Sequence, residues 1–173
     1  MRKLILLFFI ANITYSQSTL ILNSSKSKIN YKAKHFLNSW KGSNNEVSGA
    51  IIYDEGISNI AVAAKVIDFE SGNSNRDLHL LEYLNVLKHP YIKLYSDDIT
   101  TQGNIITFNG DIEFHGQKKS IKVLGTVDEN ENLINVTGKF QIIPTEFSIK
   151  LPSFMLIEME DYLNISFDIQ FDK

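Results

Sequence analysis

Cysteine is absent from this chain of 173 residues. Its absence excludes disulfide bonds, thiol catalysis, thiolate metal sites and the cysteine of a lipoprotein anchor. The net charge is only −3, so the composition gives no reason to expect nucleic-acid binding. Internal repeats and low-complexity tracts are missing too. With 43% hydrophobic and 21% charged residues, the chain has the composition of one folded domain with a real core.

The short motifs of common enzyme classes are also missing. The chain contains no GxSxG, no HExxH and no glycine-rich phosphate loop. A hydrolase built from distant residues stays a hypothesis that no pattern supports. No metal-ligand spacing links any two of the four histidines, which are His35, His79, His89 and His115. We therefore expect a protein that is not an enzyme and holds neither cofactor nor metal.

The first residues have the features of an export signal. The start MRK is basic, and the apolar run LILLFFIANI that follows has ten residues, too few to cross a membrane. Thr14 and Ser16 are small residues ahead of a cleavage site before Gln17. We interpret residues 1–16 as a signal peptide and residues 17–173 as a single domain, periplasmic or secreted. A buried core segment is the alternative interpretation of the apolar run.

Alternation of apolar and polar residues dominates the remaining chain and predicts β-strands. In LNISFDIQF, residues 163–171, every second side chain is apolar, which is typical of a strand with one wet face. KINYKAKHF, residues 28–36, alternates in the same way. Turn signals such as DEG at 54–56 and HG at 115–116 separate further strands. These strands are predicted at residues 46–53, 57–67, 91–99, 104–114, 120–127, 133–142 and 145–150.

Many short antiparallel strands must hide their edges, either by closing into a barrel or by stacking as a sandwich. No linker interrupts the strand pattern, so the predicted fold class is mainly β in one domain. A barrel of about eight strands has room inside for side chains or for one slender ligand. Such a barrel needs a cover at its open end.

One stretch, SGNSNRDLHLLEYLNVLKHP at residues 71–90, predicts an inserted α-helix over about residues 75–88. Ser74 and Asp77 have the spacing of a capping box at its start. Pro90 disfavours helix at the residue before it and ends the element. The apolar face of the helix, which would cover the barrel, consists of Leu80, Leu81, Leu84 and Leu87.

Arg76, Asp77 and His79 stand together at the start of this helix. Asp77 and His79 are two residues apart and point to roughly opposite sides, so they cannot form the paired ligands of a helical zinc site. For Arg76 and Asp77 two interpretations stay open. They form a helix cap with a partly buried ion pair, or they contact a ligand.

Four segments resemble the YceI-like, polyisoprenoid-binding family, in the family's order. FESGNSNRDLHLLEYLNVLKHPYIKLYS (69–96) is similar to its hallmark Arg-Asp-x-His helix, and HFLNSWKGSNNEVSGAIIYD (35–54) to its early His and later Gly. GDIEFHGQKKSIKV (110–123) resembles its Gly-containing hairpin. FQIIPTEFSIKLPSFM (140–155) resembles its closing Thr-x-Phe and Pro-Ser segment.

The resemblance implies a lipocalin-like antiparallel barrel with an inserted helix and a long apolar tunnel, and it implies no reaction. The implied ligand is an isoprenoid or another long-chain amphiphilic lipid. Expected at the tunnel mouth are Arg76, His79 and His35. Expected in the lining are Phe36, Trp40, Leu80, Leu84, Phe108, Phe114 and Phe154. Ordinary core packing is the alternative for each lining residue.

Two functions follow as expectations. The first is an exported, non-catalytic protein that carries or stores such a lipid, with no nucleic-acid partner and no transmembrane segment in the mature chain. The second is an exported interaction module whose barrel interior is packed and holds no lipid. The sequence names no protein partner.

Overall fold

The computed structural model describes residues 17–173, so the predicted signal peptide at 1–16 lies outside the described residues. The fold is mainly β, with one α-helix, α1 (Ser74–Tyr83). The strands are β1 (Ser18–Ile21), β2 (Lys28–His35), β3 (Asn38–Asn44), β4 (Ser48–Tyr53), β5 (Ile57–Lys65), β6 (Tyr91–Gln102), β7 (Ile105–Phe114), β8 (Gln117–Glu129), β9 (Leu133–Ile142), β10 (Ser153–Phe154), β11 (Ile157–Glu158) and β12 (Leu163–Asp172).

Ten of these strands form one antiparallel sheet in the order β1-β4-β5-β6-β7-β8-β9-β12-β2-β3, while β10 and β11 form a separate hairpin. The predicted number of about eight strands in the barrel is therefore two too low. The ten-stranded sheet is strongly curled into a half-barrel, with β1 and β3 as its edge strands. Register shifts in β4 at Ile52 and Tyr53 and in β6 between Tyr95 and Asp98 add to the twist that curls it.

Single backbone bridges protect the two edges of the sheet. Leu22, just after β1, bridges to Phe171 of β12. At the other edge, Ser43 of β3 exchanges two backbone hydrogen bonds of 2.9 Å with Glu70, which follows β5. An uncovered edge would offer its free N–H and C=O groups to another chain, so these bridges shield the edges without full strand pairing.

The predicted faces of the two most regular strands are confirmed. Ile169 and Phe171 of β12 are buried, and so are Tyr31 and Ala33 of β2. Each fully buried large apolar side chain contributes about 1.5–3 kcal/mol relative to an exposed one. The inward faces of these neighbouring strands therefore form a continuous apolar wall inside the curl.

The strand predicted at residues 145–150 is wrong. A 3-10 helix occupies Pro144–Phe147, and Ser148 has a positive φ of 57°. Proline fixes the backbone for a turn rather than a strand, and the left-handed Ser148 then redirects the chain. The sequence patterns missed four strands, which are β1, β3, β10 and β11.

Helix α1 is shorter than the predicted 75–88. It ends at Tyr83, because Asn85 has a positive φ of 45° and the N–H of Val86 donates to the carbonyl of Leu81, as at many helix C-termini. Leu87 therefore leaves the apolar face and is 98% exposed. Within residues 17–173, no helix is long and apolar enough to cross a membrane.

The start of the helix also differs from the predicted capping box. The cap is Asn73, whose side-chain oxygen accepts a 3.1 Å hydrogen bond from the N–H of Arg76. Asp77 accepts instead from the N–H of Ser71, at 3.0 and 3.2 Å for its two oxygens. Asparagine caps a helix as well as serine does, so the capping function shifts by one residue.

Candidate ligand-binding cavity

Beneath α1 and one end of the curled sheet lies a cavity of about 570 Å³. Most of its lining is apolar and comes from β2, β12, α1 and residues 142–159. A cavity of this size suits one drug-sized or lipid-like molecule. The lining residues with polar or titratable side chains are Tyr31, Trp40, Arg76, His79, Tyr83 and Ser153.

A second cavity of about 90 Å³ lies deeper inside the curled sheet. Its lining is apolar except for Lys93, whose Nζ lies 3.4 Å from a carboxylate oxygen of Glu113. The two cavities have four lining residues in common, namely Phe69, Ile92, Ile142 and Ile165. They therefore adjoin one another, and the apolar surface continues from the larger cavity into the sheet.

Small side chains on the inward faces of the strands leave this space open. Ala33 of β2 is 1% exposed and lines the larger cavity, while Ala64 of β5 is 3% exposed and lines the smaller one. Larger side chains normally occupy the inward positions of a curled sheet. On β7, for example, Phe108 and Ile112 occupy them. Alanine at these positions keeps the interior from packing solid.

Helix α1 covers the larger cavity with one face. Arg76, His79, Leu80, Tyr83 and Leu84 all line it, and they are spaced three and four residues apart. Asp77 does not line the cavity, because a residue one position after Arg76 lies on a different face of the helix. The leucines supply apolar cover, while Arg76 and His79 bring cationic or titratable groups to the cavity.

Arg76 makes no ion pair with any carboxylate of residues 17–173. Its guanidinium carbon instead lies 5.7 Å from the ring centre of Trp40, within the range of a cation–π contact. Asp77 is held by the backbone of Ser71. The predicted ion pair at Arg76 is therefore wrong, and the side chain that caps the helix is that of Asn73 rather than that of Arg76 or Asp77.

Tyr31 is a neutral polar group in the wall of the cavity. Burial raises the pKa of Tyr31 to about 12, and the charge of Asp77 acts in the same direction, while Arg76 and Trp40 lower it. Its hydroxyl therefore keeps its proton at neutral pH and remains a hydrogen-bond donor.

Residues 21–171 match the model of the YceI-like domain family. The chain belongs to this family. A UPF0312 protein of Pectobacterium carotovorum is 30% identical over 101 residues, which is 55% of this chain and 53% of that protein. A UPF0312 protein of Pectobacterium atrosepticum is 29% identical over the same length. The chain thus matches about half the length of these curated relatives.

Solved structures share the fold of this YceI-like chain. BcnA of Burkholderia cenocepacia has a TM-score of 0.78 at 17% identity, covering 86% of this chain and 98% of BcnA. A polyisoprenoid binding domain from Saccharophagus degradans, implicated in plant cell wall breakdown, has a TM-score of 0.74 at 11% identity, covering 91% and 99%. The YCEI protein of Campylobacter jejuni has a TM-score of 0.63 at 15% identity, covering 100% and 99%.

The YceI-like fold brings most of the predicted site residues together. Seven of them line the larger cavity, namely Trp40, Arg76, His79, Leu80, Leu84, Phe114 and Phe154, and Phe108 lines the smaller one. Their role in binding a ligand stays a prediction. Tyr31, Leu151 and Met159 also line the larger cavity but were not predicted. Strand alternation marked Tyr31 as inward-facing, whereas Leu151 and Met159 lie outside the regular strands.

His35 and Phe36 line neither cavity, which corrects their predicted places. His35 is buried, and its Nε2 lies 3.0 Å from the carbonyl oxygen of Ile157, so it fastens the β10–β11 hairpin to the end of β2. Phe36 is 55% exposed in the turn after β2, with its ring 4.6 Å from that of His35.

Within residues 17–173, no group of three His, Cys, Asp or Glu side chains is placed to hold a metal ion. His89 and His115 have ring centres 5.0 Å apart but lie outside both cavities. His115 Nδ1 is 3.0 Å from the carbonyl oxygen of Phe147, so this histidine holds the turn after β7 against the 3-10 helix.

Proposed function

We propose that this YceI-like protein holds an isoprenoid or another long-chain lipid in its interior and performs no catalysis. The observation that carries the proposal is the apolar cavity of about 570 Å³ that adjoins a second apolar cavity inside the sheet. The polyisoprenoid binding domain from Saccharophagus degradans, which has the same fold, supports the choice of ligand class.

The energetics favour a long tail. Each buried CH₂ contributes about 0.8 kcal/mol, so ten of them contribute about 8 kcal/mol before the cost of association. That cost is roughly 4–15 kcal/mol, which ten carbons barely offset. A ligand that binds mainly through its tail therefore needs clearly more than ten buried carbons.

Native mass spectrometry of the protein purified from its own host tests the proposal. We expect an adduct with the mass of one lipid, which organic extraction removes and an added C15–C20 prenol restores. A protein that never carries an adduct and binds no prenol of any length would contradict the proposal.

A second function, an exported interaction module without a lipid, is favoured by one observation. The tip of the β10–β11 hairpin is apolar and exposed, with Phe154 at 61% and Leu156 at 100%. Exposed apolar patches often mark contacts with other molecules. The open cavity argues against this function, because the interior of a purely structural module packs without voids of this size.

Export is part of the proposal. The basic start, the ten-residue apolar run and the small residues before Gln17 support cleavage after Ser16. N-terminal sequencing of the mature protein should begin at Gln17. An intact Met1 on protein from the periplasm or medium would refute cleavage.

A further inference from the structure

In the described part of the chain, residues 17–173, Arg76 is the one permanently charged side chain that lines the larger cavity. We infer that the lipid bound there carries a terminal oxyanion, a carboxylate or a phosphate, and that Arg76 binds it. The inference rests on the proposed function and adds the chemical class of the headgroup. A neutral prenol or quinone, by contrast, would leave the arginine without a counter-charge.

No acidic side chain of residues 17–173 forms an ion pair with Arg76. Of the residues from Gln17 onward, no Asp or Glu lines the larger cavity, and the neighbouring Asp77 accepts hydrogen bonds from the N–H of Ser71. His79, the other cationic candidate, lies 3.4 Å from a carboxylate oxygen of Glu82, and both of these side chains are largely exposed. A partly buried cation beside apolar surface is unfavourable unless an anion joins it.

Trp40 limits the orientations that the guanidinium of Arg76 can adopt. The ring lies 5.7 Å from the guanidinium carbon of Arg76 and restricts how the planar group can turn. A guanidinium held in one plane presents two parallel N–H groups, which match the two oxygens of a carboxylate or phosphate. Tyr31, also in the lining, adds a neutral hydroxyl donor within electrostatic reach of Arg76.

The apolar surface indicates where the tail lies. Leu80 and Leu84 follow Arg76 along the same face of α1. Beyond them, Ile92 and Ile165 belong to both cavities and mark the passage into the sheet. An amphiphile with its oxyanion at Arg76 therefore extends its chain past the leucines toward Phe108.

Isothermal titration calorimetry with three ligands of one tail length tests the inference. The ligands are hexadecanol, hexadecanoate and hexadecyl phosphate at pH 8, each supplied with the same concentration of cyclodextrin as carrier because hexadecanol is nearly insoluble in water. We expect at least one anion to bind the delipidated protein about tenfold or more tightly than the alcohol, which is the usual gain from charged hydrogen bonds. Comparison of the two anions then decides between a carboxylate and a phosphate headgroup.

Three variants assign the preference to its residue. Arg76→Met should lower the affinity for the preferred anion about tenfold and leave the affinity for hexadecanol within about twofold. Arg76→Lys should keep part of the preference, since charge remains but the fork is lost. The matched control is Lys41→Met, which removes an exposed cation that lines neither cavity and should leave the preference unchanged. Circular dichroism confirms that each variant is folded.

The outcomes separate the inference from the proposed function. If all three ligands bind with equal affinity, or if Arg76→Met weakens alcohol and anions alike, the inference is wrong and lipid binding stands. If the protein binds none of the three ligands and no prenol, lipid binding fails and the inference falls with it.

Discussion

Replacement of Leu84 by alanine tests how α1 is attached to the sheet. Leu84 is 7% exposed and packs in a buried cluster with Phe114, Ile142 and Phe147. Loss of a buried leucine side chain typically costs about 2–5 kcal/mol, and the cost grows with the void left behind. Because Leu84 already borders the cavity, part of its surface has no packing partner to lose. We expect a loss of about 2–3 kcal/mol in the free energy of unfolding, in the lower half of that range.

Urea denaturation followed by circular dichroism measures this loss, and thermal melting should fall by roughly 5–10 °C for a domain of this size. Leu87→Ala is the matched control, since Leu87 is 98% exposed and should change stability by less than about 0.5 kcal/mol. Leu84→Asp should destabilise more than alanine, because an unpaired charge would face the apolar cluster. Equal stability of the Leu84→Ala and Leu87→Ala proteins would refute the packing of α1 described above.

Three further changes have defined outcomes. Gly110→Ala should cost about 1–3 kcal/mol in urea denaturation, because its Cβ would overlap a backbone carbonyl of β6, whereas Gly56→Ala has open space and should be nearly neutral. Leu156→Asn should raise the free energy of unfolding by about 0.5–1 kcal/mol, because Leu156 is fully exposed at a positive φ of 66° that asparagine tolerates better. An unchanged urea midpoint would contradict this. The hydrogen bond and charge of Lys34 lower the pKa of Glu160, so this carboxylate stabilises the fold above its unfolded pKa and stops doing so as the pH falls through its folded pKa. The melting temperature of Glu160→Gln should therefore lie below that of the unchanged protein at pH 7 and approach it at the acidic end, and parallel curves would contradict the assignment.

Regular alternation was sufficient to predict the inward faces of β2 and β12. Both strands lie inside the sheet with neighbours on each side. Their apolar residues therefore point to the buried face, which fixes the register. β3, by contrast, reads NSWKGSN and has no apolar alternation. It is a strand because an edge position lets its polar residues face water while β2 satisfies its backbone.

The leucine spacing predicted the existence of α1 and its buried face but placed its end five residues too late. Leu80 and Leu84 continue the pattern to Leu87, and nothing in that spacing distinguishes the last leucine from the others. The left-handed conformation of Asn85 ends the helix, and packing of the chain against β7 decides where that turn occurs.

The sequence by itself determined the family, the mainly β fold class, the inward faces of the regular strands and seven of the residues that line the larger cavity. These properties follow from local alternation and from motifs that can be read along the chain. Only the tertiary structure decided the half-barrel of ten strands, the volume of the cavity, the place of His35 outside both cavities and, within residues 17–173, the lack of an ion pair at Arg76. Each of these depends on contacts between residues far apart in sequence, such as Arg76 with Trp40 and His35 with Ile157.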